Sequence, residues 1–435
     1  MHVPRDHRAR AGQRGRTSAR WGAAGIVTAA AALSLVAGAV PASAAVGYTV
    51  TATISATSPG PVAVYPALGT VYAVDATDDG MVSVINAATN TVTTTIPVGI
   101  DPDAVAVDPT RGTVYVTNYG DDTVSVIDAA TNTVTATIPV GHSPAGVAVD
   151  STTGTVYVTN NGDNTVSVID AGGHKVVATI PVGTQPIGVA VDAATDTAYV
   201  TNYGDGTVSV IDAKTDTVTA TVTVGTHPDA VAVNPARDTA YVTNHGDDTV
   251  SAINAKTDTV TATIPVGHSP AGVAVNPTTG ILYVTNGLDN TVSVIDAAGR
   301  KLVVTLTVGT EPIGVAVNST TDTAYVGNYA GGTVSVISAA RTPTALTASI
   351  RVSPQQDLVL TATLTAAGLP LSGQSVSFTT GATHLCTVHT STTGVATCTL
   401  TAAQTLKAEQ HGTIQANFTG TAIYQPSKAS ATTPK

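Results

Sequence analysis

Tyrosine returns along this chain at Tyr72, Tyr115, Tyr157, Tyr199, Tyr241, Tyr283 and Tyr325, with a first interval of 43 residues and 42 for every later one. A fixed period of that length restricts the fold to arrays in which one supersecondary unit stacks on the next. One unit reads Pro-Ala-Gly-Val-Ala-Val (144–149), Thr-Val-Tyr-Val-Thr-Asn (155–160), Thr-Val-Ser-Val-Ile-Asp (165–170) and Lys-Val-Val-Ala-Thr-Ile-Pro-Val-Gly (175–183). These are four short β-rich runs, parted by Gly, Asn, Asp and Ser/Thr clusters that make turns. Four strands in ~40–45 residues is the arithmetic of a propeller blade. Helical repeats fail because no run has a 3.6-residue period, and Val and Thr fill the places where helix formers are needed. A parallel β-helix competes, but its coils are usually shorter and it needs no closure. The expected fold is therefore all-β, a seven-bladed propeller of four-stranded blades.

The ends of the array indicate how the ring shuts. The fourth-strand pattern begins at Thr49, Thr91, Thr133, Lys175, Thr217, Thr259 and Lys301, always 42 residues apart. The first of these precedes any first strand, whereas the last blade supplies only three strands, at 312–317, 323–328 and 333–337. The N-terminal strand is expected to complete that blade as its outermost strand and remove a free edge. A longer period lies above the first. The loops before the innermost strands read Pro-Asp-Ala, Pro-Ala-Gly and Pro-Ile-Gly at Pro102, Pro144 and Pro186, then again at Pro228, Pro270 and Pro312, a shift of 126.

Tyr-Val-Thr-Asn at 115–118, 157–160, 199–202, 241–244 and 283–286 resembles the repeat of the YVTN-family β-propellers. Blade seven departs with Tyr325-Val326-Gly327-Asn328 and blade one with Tyr72-Ala73-Val74-Asp75. The resemblance covers about residues 49–338 and implies an extracellular or cell-surface propeller of the surface-layer kind, without implying a reaction.

The termini complete the domain plan. Six arginines among the first twenty residues precede an apolar run from Trp21 to Val40 and the small-residue site Pro41-Ala42-Ser43-Ala44. That order reads as a secretory signal over 1–44, with a retained membrane anchor as the alternative. Propeller over 45–338, a linker at 339–343, an Ig-like β-sandwich at 344–430 and a tail at 431–435 follow. The sandwich rests on about seven short alternating strands. Gly394-Val395-Ala396-Thr397 and Gly420-Thr421-Ala422-Ile423-Tyr424 resemble bacterial Ig-like repeats, which implies a spacer. Its last strand is expected to be short and frayed, and Phe378, Phe418 and Tyr424 are expected in its core. Cys386 and Cys398 are the two cysteines. In a hairpin centred near residue 392 they would face each other and, once exported, form a disulfide. His384 and His389 could turn the pair into a metal site only in an awkward geometry.

Charge narrows the partners. Residues 45–340 hold a net charge of about −19, nearly all from aspartate. Such a surface repels nucleic acid and anionic lipid. After signal cleavage no segment is expected to enter a membrane, and a monomer is expected.

In a four-stranded blade the strand 2–3 turns and the blade-to-blade connections share one face. There the sequence gathers Asp103, Asp121, Asp122, Asp163, Asp205, Asp229, Asp247, Asp248 and Asp289. His142, His227, His245, His268, Gln185 and Glu311 join them. Carboxylates beside imidazoles suit acid–base work or a metal. Tight turns, however, demand Asn, Asp and Gly for their own reasons, and these aspartates recur blade after blade. Gln185, His245 and Glu311 are the exceptions, and the loop positions after Val-Gly vary. No hydrolase, metalloprotease, P-loop or dinucleotide motif occurs. Cys-x-x-Cys-His is missing, and the single tryptophan lies in the leader. The expectation is a secreted or cell-surface binding or scaffold protein without catalysis, the propeller as head and the Ig-like domain as spacer. Its partner would be an extracellular protein, a glycan or a cell-wall component. The acidic rim would draw a cationic ligand or calcium, and no other cofactor is expected. The alternative is a hydrolase or lyase resembling lactonases or streptogramin lyases, acting at the axial funnel.

Overall fold

The computed structural model describes residues 47–77, 80–340, 344–354, 357–366, 368–420 and 424–433; the expected leader, 1–44, lies outside them. Six antiparallel sheets follow in sequence order at 59–97, 102–139, 144–181, 186–223, 228–265 and 270–307, and are numbered here as blades 1–6. Blade 7 contains Pro312–Asn318, Thr323–Asn328 and Thr333–Ala340, with Gly47–Ser55 as its outermost strand. That N-terminal strand pairs from Gly47↔Ala340 to Ser55↔Thr333. The ring is therefore closed as the phase of the repeat requires. The third strand of blade 7 continues to Ala340, so the linker expected to begin at 339 is still ladder at that point.

The apolar cores lie between blades. Tyr157, Val166, Val168 and Ile180 of blade 3 cluster with Ala198, Val200 and Ile211 of blade 4. Tyr72, Val74 and Val82 of blade 1 cluster in the same way with Val105, Val114 and Val116 of blade 2. A middle strand buried on both faces needs apolar residues at consecutive positions, which explains Val-Tyr-Val and Val-Ser-Val-Ile. Each fully buried Val or Ile contributes about 1.5–3 kcal/mol.

A threonine staples neighbouring blades. The hydroxyls of Thr117, Thr159, Thr201, Thr243 and Thr285 accept an inner-strand N–H of their own blade and donate to the next blade's inner strand. Two blades depart, each for a visible reason. Blade 1 has Val74 where the staple would be, and Pro61, with no N–H to donate, occupies the donor's place. Blade 7 has Gly327, where a Cβ would stand 2.0 Å from the Gly60 carbonyl oxygen. The seam between blades 7 and 1 is too close for any side chain there.

The C-terminal domain differs from expectation in three ways. Thr344–Val352, Leu358–Ala366 and Val395–Thr399 form one sheet with the short Leu369–Pro370. Thr383–His389, Ser375–Thr380, Thr413–Phe418 and Ser427–Thr432 form the other, over one core containing Leu360, Leu364, Phe378, Ile414 and Phe418. Cys386 and Cys398 are bonded, but they belong to opposite sheets, so the bridge joins the layers instead of crossing a hairpin. The last strand is paired from Phe418↔Ser427 to Thr413↔Thr432, and is neither short nor frayed; it runs past the expected boundary at 430. A helix, Ala402–His411, was not expected; Thr401 and Gln404 cap its start reciprocally. Tyr424 packs partly buried against the core.

Candidate functional site

The strand 2–3 turns and the connecting loops do share a face, and most of its acidic groups hold that face together. Asn118, Asn160, Asn202, Asn244 and Asn286 accept the N–H of Gly99, Gly141, Gly183, Gly225 and Gly267 at 3.0–3.1 Å. A side chain on Gly99 would bring its Cβ to 2.5 Å from the Asn118 amide carbon. Asp163, Asp247 and Asp289 accept the next N–H, from His142, Thr226 and His268, at 2.6–2.8 Å, and Asp121 and Asp205 do the same for Ile100 and Thr184. The following turn residue holds the outgoing loop. Asp122, Asn164, Asp248 and Asn290 accept from Ser143, Gln185, Ser269 and Glu311, all at 2.8 Å.

Two clamps carry an imidazole. His142 Nδ1 lies 2.8 Å from Asp163 and its Nε2 4.0 Å from Asp122; His268 repeats this at 2.9 Å from Asp289 and 3.9 Å from Asp248. The bond to Asp163, and then the charges of Asp163 and Asp122, raise the His142 pKa; Asp289 and Asp248 act likewise on His268. Asp163 and Asp289 are held below the usual carboxylate range, first by the backbone N–H groups they accept.

Two aspartates are not surface charges. Asp103 and Asp229 are 4% and 6% exposed. Both are the second residue of an inner strand, a position that packs beneath its own blade's turn. In blade 1 a Cβ on Gly60 would lie 3.1 Å from that of Ala76. Asp103 and Asp229 stand at the equivalent of Gly60 in blades 2 and 5, where Tyr119 and His245 stand at the equivalent of Ala76.

Two concentric rings on this face vary from blade to blade. The inner one is the residue before the inner strand of blades 2–7: Asp101, Ser143, Gln185, His227, Ser269 and Glu311. All six have φ of 52–55°, in the left-handed region where glycine is cheapest, yet none is glycine. The second ring is the first residue of the strand 2–3 turn in blades 2–7: Tyr119, Asn161, Tyr203, His245, Gly287 and Tyr329, with Ala76 in blade 1. Two of its members reach toward the next blade. The Tyr203 ring stacks on His227, centroids 4.6 Å apart and planes 14° apart, and Asn161 Nδ2 donates to the Pro186 carbonyl. Glu311 is half-buried, and burial pushes its carboxyl above the usual range. Because adjacent inner strands contact one another all the way round, these rings surround the mouth of the axis.

Of the residues singled out in sequence, Gln185, His227, His245 and Glu311 therefore meet at the mouth. Asp121, Asp122, Asp247 and Asp248 serve as clamps. The tyrosines of the second ring escaped sequence reasoning. Aligning the repeats on Tyr-Val-Thr-Asn and comparing the residue immediately after that motif would have found them. A groove of about 420 Å³ on the outer side of blade 4 is lined by Gly183, Asp205, Thr207, Ser209 and Thr221, which have counterparts in other blades and give it nothing of its own. Among the described residues no group of three or more His, Cys, Asp or Glu side chains is arranged to hold a metal.

The sequence matches the family described as "Lactonase, 7-bladed beta-propeller" over residues 129–307, from the end of blade 2 through blade 6. That is less than half of the chain. No curated protein matches it. Many solved chains do. One, from Kuenenia stuttgartiensis hydrazine synthase, has a TM-score of 0.60 and 21% identity over 69% of this chain and 98% of that one. At that identity the likeness concerns the fold.

Proposed function

We propose that the propeller is a binding head that takes a small polar, ring-bearing ligand at the axial mouth. The protein is read as exported, with its C-terminal domain an Ig-like spacer and its repeat of the YVTN kind. One observation carries this reading. Both rings round the axis change chemistry from blade to blade, and the inner one does so at left-handed positions where backbone geometry favours glycine. Tyr119, Tyr203 and Tyr329 offer aromatic faces with hydroxyl handles, the combination suited to a sugar or another flat polar ring. The test is a glycan and cell-wall-fragment binding screen of the exported chain, beside a Tyr203→Ala, Tyr329→Ala variant. Retention that survives the loss of both tyrosines would exclude the mouth.

A second reading is hydrolysis of a lactone, favoured by the family match over blades 3–6. Burial raises the Glu311 carboxyl above its ordinary range, the direction a general acid or base requires. Water would add to the lactone carbonyl, the ring C–O bond would break, and the ring oxygen would take up a proton to become a hydroxyl. Assay of five- and six-membered lactones with wild type and Glu311→Gln separates the readings. Turnover lost in Glu311→Gln, with ligand retention intact, selects hydrolysis.

A further inference from the structure

The opposite face holds an arrangement that neither ring explains. At each junction whose second blade has a strand 3–4 turn, three positions lie on this face: the last residue of an inner strand, the buried tyrosine, and the left-handed residue of that turn. Between blades 4 and 5 they are Asp192, Tyr199 and Asp258. Asp192 and Tyr199 are 1% and 0% exposed. Asp192 Oδ1 accepts the N–H of Ala194, but its Oδ2, the Tyr199 hydroxyl and Asp258 Oδ1 are all buried without a hydrogen-bond partner. The charges bearing on that hydroxyl are Asp258 and Asp192. Forty-two residues earlier, Asp150, Tyr157 and Asp216 repeat the set between blades 3 and 4, with Asp150 Oδ2 and the Tyr157 hydroxyl again unpartnered. Asp216 and Asp150 are the two largest charges acting on Tyr157.

Neighbouring junctions show what is missing. Between blades 2 and 3 the inner strand ends in Asp108, and Arg111 bonds it at 3.1 Å, its charge acting on Tyr115. Between blades 5 and 6, Arg237 and Arg300 act on Tyr241, and the strand ends in the neutral Asn234. At the two acidic junctions the position of Arg111 is taken by Thr153 and Thr195. Lys214 and Lys256 are spent on Asp196 and Asp238, at 2.7 and 2.6 Å, and are 71% and 69% exposed. Each site thus combines a fully buried carboxylate, a fully buried hydroxyl and a partly buried second carboxylate, without a cation. Burying such charges unpaired is costly.

We propose that a hard divalent cation, calcium, binds at each of these two junctions, through Asp150, Tyr157 and Asp216 and through Asp192, Tyr199 and Asp258. The donors are all oxygen, which excludes a preference for zinc or copper. Calcium accepts irregular shells of 6–8 oxygens completed by water. The site lies on the face away from the axial mouth, so it stands or falls independently of the ligand proposed there.

The experiment uses the full exported chain stripped with EDTA, followed by equilibrium dialysis against calcium and by terbium luminescence excited through tyrosine. Wild type should bind two ions, Asp216→Asn and Asp258→Asn one each, and the double variant none. Tyr199→Phe should dim the terbium signal. Asparagine already occupies the equivalent turn position as Asn90 and Asn132, at φ of 54° and 55°, so the variants keep their backbone. Circular dichroism confirms that they fold. Calcium should raise the melting temperature of wild type and leave the double variant unmoved. No uptake by the folded wild type at millimolar calcium would overturn the proposal and assign the gaps to water. Equal uptake by the double variant would overturn it too.

Discussion

Thr201→Val removes one hydroxyl from the junction of blades 4 and 5 and nothing else of consequence. Thr201 is fully buried, accepts the Gly188 N–H at 2.7 Å and donates to the Asp229 carbonyl at 2.7 Å. Valine fills the same volume, so the packing term is close to zero. The loss is then a buried donor and a buried acceptor left unpaired, each costing about 1–3 kcal/mol. The sum expected is about 2–4 kcal/mol, since backbone adjustment recovers part of it. For a ring of this size, 1 kcal/mol moves the midpoint by roughly 2–4 °C, so the propeller should melt about 5–10 °C lower. Thr201→Ser keeps the hydroxyl and loses a methyl, worth about 1 kcal/mol. The assay is thermal and urea unfolding of the three proteins under one set of conditions. A serine variant less stable than the valine variant would refute the reasoning, because the hydroxyl would then contribute less than the methyl.

The same geometry leads to three other outcomes. The raised pKa values of His142 and His268 mean that their contribution to stability is fully present below about pH 6.5, the unfolded value, and is lost as pH rises through the folded one. Proton NMR titration of the ring signals should show both midpoints above that value, and Asp163→Asn should lower only that of His142. Reduction of the Cys386–Cys398 bond, which closes a loop of sequence separation 12, should add two hydrogens to the intact mass. It should also cost the C-terminal domain about 3 kcal/mol while the propeller transition stays in place, as differential scanning calorimetry would show. Deleting residues 45–57 removes Tyr48 and Ile54, 5% and 3% exposed, and bares the edge of Thr333–Ala340. The propeller should then aggregate or melt well below the full chain, whereas deleting 343–435 should leave its melting unchanged.

The number of blades, the strands within them and the closing role of the first strand were legible in the sequence. A 42-residue period is long-range order written as local repetition, and its phase at the two ends leaves one way to close. The turn chemistry was legible as well, so the aspartates after Tyr-Val-Thr-Asn were rightly suspected of serving the backbone. Which oxygen they serve was not. Asp121 clamps the incoming loop, whereas its neighbour Asp122 clamps the outgoing one, a distinction of direction that composition does not carry. Burial of Asp103 and Asp229 at the start of an inner strand was not legible, because it depends on packing between strands and not on the local run. The disulfide shows the same limit. Two cysteines twelve apart around a turn look like a hairpin pair, yet their strands take partners in different sheets, because Leu360, Phe378 and Ile414 must meet in one core. Repetition fixes what each unit is. Only packing decides which of its faces meet, and therefore which polar atoms are left to bind something else.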